Sequence, residues 1–226
     1  MEQIRLFVGK DSRETVGFHV FVESVLSRTD PNMVSITALT GEQGDASNTF
    51  GKARFLVPEL CGYRGWAIYA DGCDMLCRAD IKELWDLRQS GFDVMVVKHD
   101  YRTKHPVKYL GARNEDYPNK NWSSLMLMNC GNAAWRRPSY KALFNGPAGL
   151  LHRFSFLEDE RIGDLPKEWN WLVSEYSYNP KAKLVHYTIG IPPFYPNCDY
   201  SAEWFNEMKS ATFHEHWDQT ALISER

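Results

Sequence analysis

No apolar run in this chain approaches the roughly 18–20 residues that a membrane span needs, and no charged-then-apolar leader opens it. Internal repeats, low-complexity linkers and breaks in composition are missing too, so residues 1–226 are expected to form one domain. There is little excess of either charge. The 26 Lys and Arg stand against 29 Asp and Glu, and a net charge of −3 gives no bulk attraction to nucleic acid, although a local basic patch escapes that average. Cysteine is sparse. The five, Cys61, Cys73, Cys77, Cys130 and Cys198, are odd in number and form no CxxC pair, and Cys61 and Cys130 sit in apolar segments where thiols are buried and reduced. The expectation is a soluble protein of a reducing compartment, the cytoplasm of a bacterial or phage-infected cell.

What is present is an ordinary globular composition, 43% hydrophobic and 24% charged, long enough to bury roughly 70–75% of its unfolded surface. Aromatic content is high at 14%, but rings serve cores and sugar or base stacking alike, so it decides nothing by itself. Strand-like runs fall at Ile4–Gly9, Val34–Leu39, Trp66–Ala70, 93–98, 123–129 and 183–187. Helical spacing marks 14–26, 52–60 with Pro58 as its kink or stop, 81–87 and 138–144. Between them lie a polar loop at 41–49 and a long basic, aromatic loop at 99–121, a length that in compact domains is often functional. The alternation predicts a three-layer α/β sandwich.

The strand WAIYA ends abruptly on Asp71 and Asp74. Carboxylates at the end of a buried strand are costly to desolvate unless a cation or hydrogen bonds offset the cost. In open α/β sheets that carboxyl edge is also where ligands bind. Gly72 between the acids allows close backbone approach. His186 ends another strand, in LVHYTIG, and a carboxylate–carboxylate–imidazole set suits Mn²⁺ or a similar ion better than Ca²⁺. The competing readings are an Asx-turn at Asp71, a helix cap at Asp74 and a structural histidine. A zinc site on Cys73 and Cys77 lacks partners at standard spacing.

With these motifs in order, the chain resembles a nucleotide-sugar-dependent glycosyltransferase of the GT-A fold, closest to the family 8 type. The resemblance is carried by IRLFVGKDSRE, KARFLVPEL, the aspartate motif running into ADIKELWDL, NWSSLMLMN, LPKEWNWLV and HYTIGIPPF. The strings GWAIYADGCDMLC and VKHDYRTKHPVKY are similar to those of a small bacterial and phage-type subgroup. The resemblance implies a single Rossmann-like GT-A domain with a mixed central sheet, Mn²⁺ or Mg²⁺ as cofactor and a nucleotide-sugar donor, UDP-linked in the first instance. It implies that Asp71 and Asp74 are the DxD acids and His186 the third ligand. Here the motif reads Asp-Gly-Cys-Asp, one residue longer, so Asp71 fits only if the backbone bulges at Gly72 and Cys73 turns inward. The family's lysine close behind the histidine is absent: Pro192, Pro193 and Phe194 stand there, so another cation must balance the leaving diphosphate. Arg54 is the first candidate and Lys98 the second, although Arg54 also suits a solvated helix face. For the donor base and sugar the resemblance points to Val8, Gly9 and Asp11, and to Ser123 and Ser124. Asp11 equally suits a helix cap, and the serines a strand's polar face.

Sugar transfer passes through an oxocarbenium-like transition state, for which nearby carboxylates are expected. Asp159 and Glu160 are the candidates, against the plainer reading of a solvated turn. They match the acidic segment of retaining and inverting enzymes alike, so stereochemistry stays open. Trp169 and Asn170 are expected at the pocket floor, with plain core the other reading for Trp169. Tyr101, Arg102, Lys104 and His105, in a loop that interleaves cations with tyrosines, are expected to meet the acceptor, either a glycan or a modified nucleobase in phage-type DNA. A solvated loop is the alternative. His214 and His216 read as a frayed helix face rather than a metal pair. Two rivals remain: a nucleotidyltransferase, whose usual glycine-rich phosphate loop IRLFVGKDSRE lacks, and a non-catalytic nucleic-acid or glycan-binding module on the same fold.

Overall fold

Short apolar strands buried on both faces build the centre of this protein, as expected for a sheet covered by other elements. The computed structural model describes residues 2–41, 51–108, 111–137 and 145–212. The strands are β1 (Ile4–Gly9), β2 (Val34–Leu39), β3 (Trp66–Ala70), β4 (Met75–Cys77), β5 (Val94–Val96), β6 (Val107–Lys108), β7 (Ala112–Arg113), β8 (Leu125–Asn129), β9 (Ile162–Asp164), β10 (Trp171–Leu172) and β11 (Leu184–His186). The helices used below are α1 (Thr15–Leu26), α2 (Val57–Leu60) and α3 (Ile81–Trp85), with further helices at Ala148–His152 and Ser201–Thr212.

The central sheet is mixed, in the order β2-β1-β3-β8-β5-β9. β1 runs parallel to β2 and β3, β5 runs parallel to β9, and β8 lies antiparallel between β3 and β5. Every strand but β8 therefore points the same way. Their carboxyl ends, at Gly9, Ala70, Val96 and Asp164, share one edge with Leu125, the first residue of β8. A smaller sheet, β10-β11-β4, brings His186 opposite Met75, the residue that follows Asp74.

Several elements depart from the sequence reading for identifiable reasons. Pro58 does not stop a helix: the 52–60 segment is a 3₁₀ turn, Ala53–Leu56, followed by α2, with Pro58 in the first turn, where a missing N–H costs nothing. β4 and β9 are strands of three residues, too short to show a period. Ser123 and Ser124 lie in a 3₁₀ turn before β8 rather than on its face. The loop at 99–121 contains the β6–β7 hairpin. Helix Ser201–Thr212 was not read from the sequence. It buries Trp204 completely, and Glu207 pairs with Arg28 of the turn that ends α1. The expected helix at 138–144, the 42–49 loop, His214 and His216 fall outside the described residues. No helix among the described residues is long and apolar enough to cross a membrane.

Candidate active site

The turn after β3 is tight enough to bring its two acids together. Cys73 N–H donates to the Asp71 carbonyl at 2.8 Å and Met75 N–H to the Gly72 carbonyl at 3.0 Å. Gly72 has φ of +71°, and a Cβ there would stand 2.2 Å from Val8 Cγ1, so only glycine fits without displacement. Cys73 turns inward: it is fully buried, its thiol donates to the Gly9 carbonyl at 3.3 Å and its sulfur accepts from Asp11 N–H at 3.3 Å. Helix α1 rests directly on this turn, since a Cβ on Gly17 would lie 1.9 Å from the Cys73 carbonyl oxygen. The bulge that the longer Asp-Gly-Cys-Asp motif requires is thus built by Gly72 and filled by Cys73.

Asp71, Asp74 and His186 each offer one ligand atom, and these atoms lie within 4.8 Å of one another. His186 Nε2 is 3.3 Å from Asp74 Oδ2. Asn170 Nδ2 donates to the Asn121 carbonyl and to Ser124 Oγ, so its Oδ1 is the atom facing the imidazole, 3.2 Å from Nδ1. That contact fixes the proton on Nδ1 and leaves the Nε2 lone pair for a cation. Asp74 Oδ1 is buried with no hydrogen-bond partner. An orphaned carboxylate oxygen beside an oriented imidazole and a second carboxylate fits a borderline divalent ion such as Mn²⁺.

Electrostatics in the site follow from three acids in one place. Burial pushes the Asp71 carboxyl up, Arg54 opposes, Asp74 adds to the push, and the net direction is upward. Burial also pushes Asp74 up, but His186, and after it Lys108, outweigh this and hold the carboxyl low. Burial would lower His186, yet Asp74 draws the ring toward its protonated form. Glu14, at the end of the turn that Asp11 caps, is pushed up to about 8, first by burial, then by Asp74 and Asp11, against Arg13. The smaller, charge-driven share of that rise, from Asp74 and Asp11, reflects a negative field that a cation would relieve.

Arg54 is not solvated. Only 4% exposed, it bonds Asp71 Oδ1 at 2.8 Å, the Gly51 carbonyl at 2.9 Å and the Ser123 carbonyl at 2.8 Å. Its guanidinium lies over the Tyr69 ring, whose hydroxyl also donates to Asp71 Oδ1 at 2.8 Å. Beside it, Ser123 Oγ lies within hydrogen-bond distance of His152 Nδ1, at 2.7 Å, and burial, with Arg54 nearby, pushes the His152 ring down to about 3 and keeps it neutral.

These groups border a cavity of about 680 Å³, lined by Arg54, Asp71, Asp74, Ser123, Ser124 and His186, and also by Lys108, Arg113, Asn114, Tyr117, Lys120, Ala148, Gly149, His152, Arg153 and Thr188. None of the other residues expected at the site lines this cavity. Val8 is buried in the sheet. Gly9 accepts from the Cys73 thiol, and the Asp11 carboxylate is wrapped by Arg13 and caps the turn before α1. Lys98 pairs with Asp164 at 3.4 Å. Asp159 and Glu160 are exposed at the amino end of β9, across the sheet from the acids, because β9 runs parallel to β3. Trp169 and Asn170 are 1% and 0% exposed, so Trp169 is core and Asn170 acts behind His186.

The 99–121 segment does reach the cavity, but through different residues from those expected. Tyr101 accepts from Asn121 Nδ2, Lys104 Nζ donates to the Glu175 carbonyl, His105 Nε2 lies 3.4 Å from the Ser174 carbonyl and Arg102 is exposed. The cavity residues Lys108, Arg113, Asn114, Tyr117 and Lys120 follow them on and after the hairpin. A hairpin of two-residue strands leaves almost no period to read, so the sequence located the segment and not its side chains.

No protein-family model matches the chain. Among solved structures it is similar to the galactosyltransferase LgtC in complex with donor and acceptor sugar analogs (TM-score 0.60, 14% identity, covering 96% of this chain and 99% of that one). It is also similar to apo GlyE of Streptococcus pneumoniae (TM-score 0.65, 11% identity, 100% and 63% covered). A third likeness is to the bifunctional glycosyltransferase WbbM (TM-score 0.61, 13% identity), where 98% of this chain spans 51% of that one. At such identities the likeness establishes the fold, which is the GT-A-like fold of glycosyltransferases. Within that class the chain belongs to the family of Protein CDI of Arabidopsis thaliana, to which it is 40% identical over 223 residues, 91% of this chain and 86% of that protein.

Proposed function

We propose that this protein is a metal-dependent glycosyltransferase that takes a sugar from a nucleoside-diphosphate donor, UDP-linked in the first instance, and moves it to a hydroxyl of an acceptor glycan. The observation that carries this reading is the Asp71–Asp74–His186 cluster, with its unpartnered Asp74 Oδ1, at the carboxyl edge of a GT-A-like sheet. Mn²⁺ or Mg²⁺ held there would act as a Lewis acid toward the departing diphosphate. Asp71 and Asp74 would hold the ion, Asn170 would orient His186 toward it, and Arg54 aligns Asp71 and opposes its protonation. Ser123 and His152 offer polar contacts for the donor sugar on the same wall. Transfer breaks the bond from the anomeric carbon to the diphosphate and forms one to the acceptor oxygen, whose proton passes to solvent.

A glycan is favoured over DNA as acceptor because Arg102, Lys104 and His105, the cations expected to meet the acceptor, do not line the cavity. Lys104 and His105 are engaged with Glu175 and Ser174. The test is hydrolysis of a panel of nucleotide sugars by the purified protein with Mn²⁺, Mg²⁺ or EDTA. One donor should turn over slowly with metal and not with EDTA. Asp74→Asn should abolish this while the melting temperature stays within a few degrees. Full turnover in EDTA, or in that variant, would overturn the assignment.

A further inference from the structure

The cations on the cavity wall are unequally partnered. Arg54 is bound to Asp71, and Arg113 pairs with Glu115 at 3.0 Å. Lys120 Nζ donates to Asn114 Oδ1 at 2.8 Å and lies 3.8 Å from Asp116. Lys108 has no hydrogen bond or ion pair among the described residues, yet it lines the cavity with Asp74 and Thr188, and its charge is felt at the Asp74 carboxyl. Arg153, also without a carboxylate partner, is exposed beside Gly149 and His152, and its charge acts on Tyr117 instead.

Lys108 is delivered by a pre-built support. Adjacent strand residues point to opposite faces, so Val107 is 55% exposed while Lys108 turns to the cavity. The hairpin register sets Lys108 opposite Ala112, and Asn114 N–H closes the ribbon on the Pro106 carbonyl at 2.9 Å. Asn114 Nδ2 also donates to Thr103 Oγ1 and to the His105 carbonyl, each at 2.8 Å. Thr103 Oγ1 and Lys104 N–H in turn donate to Glu175, a carboxylate only 4% exposed, at 2.5 and 2.9 Å. A buried acid thus anchors the ribbon that carries the free cation.

When the bond to the sugar breaks, its electron pair stays on the diphosphate, which gains a negative charge. Two carboxylates already cancel a divalent ion, and Arg54 is committed to Asp71, so this added charge needs a further cation. We infer that Lys108 is that cation: a diphosphate-binding residue supplied by the β6–β7 hairpin, in place of a lysine behind His186. The inference rests on the reading of the cavity as a nucleoside-diphosphate-sugar site.

The test is calorimetric titration of the full chain, with Mn²⁺ present, by inorganic pyrophosphate, by UDP, GDP, CDP and ADP, and by the matching monophosphates. It compares wild type, Lys108→Ala and Lys108→Arg. Lys108→Ala should weaken pyrophosphate and the preferred diphosphate about tenfold, and the monophosphate far less. It should not weaken Mn²⁺ binding or alter the far-ultraviolet circular dichroism, and Lys108→Arg should recover most of the loss. Wild-type binding that Lys108→Ala leaves unchanged, or an Arg variant as weak as the Ala variant, overturns the role of Lys108 alone. Wild type that binds none of these compounds with Mn²⁺ removes the reading of the site and the role of Lys108 together.

Discussion

Asn170 Oδ1 sits 3.2 Å from His186 Nδ1, completely buried, and orients the imidazole of a strand-end histidine beside two carboxylates. A partner that fixes the tautomer and ring angle of a metal-binding histidine is commonly worth 10–100-fold in metal affinity. Asn170→Ala is therefore expected to weaken Mn²⁺ binding by about that factor, measured by titration against the electron paramagnetic resonance signal of free Mn²⁺. Unchanged affinity would show that His186 needs no such support.

Arg54 and Asp71 form a buried pair whose halves are unequal in what their loss does. Removing the guanidinium in Arg54→Met leaves Asp71 charged and buried, which costs about 3–5 kcal/mol in comparable cases. The double variant Arg54→Met/Asp71→Asn should lose less than the sum of the two single changes, because no uncompensated charge is left. Urea denaturation of the four proteins measures the coupling, and strict additivity would refute it.

Gly72 is the hinge of the acid turn. Gly72→Ala must place a methyl 2.2 Å from Val8 Cγ1 at φ of +71°. Relief requires the turn to move, at a cost of about 1–3 kcal/mol, and movement separates Asp71 from Asp74. Both a lower melting temperature and weaker Mn²⁺ binding are expected. A loss of stability with intact metal affinity would mean that the acids tolerate the shift.

His99 is 7% exposed, with Nδ1 2.9 Å from the Tyr176 hydroxyl and Nε2 unpartnered. Burial first, then the charges of His186 and Lys167, push its pKa down from 6.5 to about 3. Between those values the unfolded chain holds a proton that the folded protein refuses, so stability falls as pH drops below 6.5. The slope from this one group is about 1.4 kcal/mol per pH unit. Denaturation at pH 7 and pH 5 should show that loss, and His99→Gln should make it shallower by about one proton. An unchanged slope in the variant would assign the acid sensitivity elsewhere.

The legible parts of the sequence were those with long local signals. Trp66–Ala70 is a strand because five apolar residues, buried but for the half-buried Trp66, leave no other economical conformation, and it ends where Asp71 begins. The Asp71–Asp74–His186 grouping was legible because carboxylates and an imidazole at strand ends need an explanation that few arrangements supply. The role of Asp159 and Glu160 was not legible, because an acidic triplet carries no record of which end of its strand faces the site. Nor was the role of Asn170, whose partner is 16 residues away and whose conformation is set by β10 and β11.

By itself, then, the sequence determined the apolar strands of the mixed sheet, the acid turn with its obligatory glycine, and the residue types able to hold a cation. Those are consequences of periodicity, backbone freedom and donor chemistry, which act within a few residues. The tertiary structure alone decided which cations face the acids, that Arg54 is buried, that Asp159 lies on the far edge and that Lys108 reaches the cavity. Strand direction and hairpin placement are settled by pairing between distant segments, and no local stretch of chain encodes the partner it will meet.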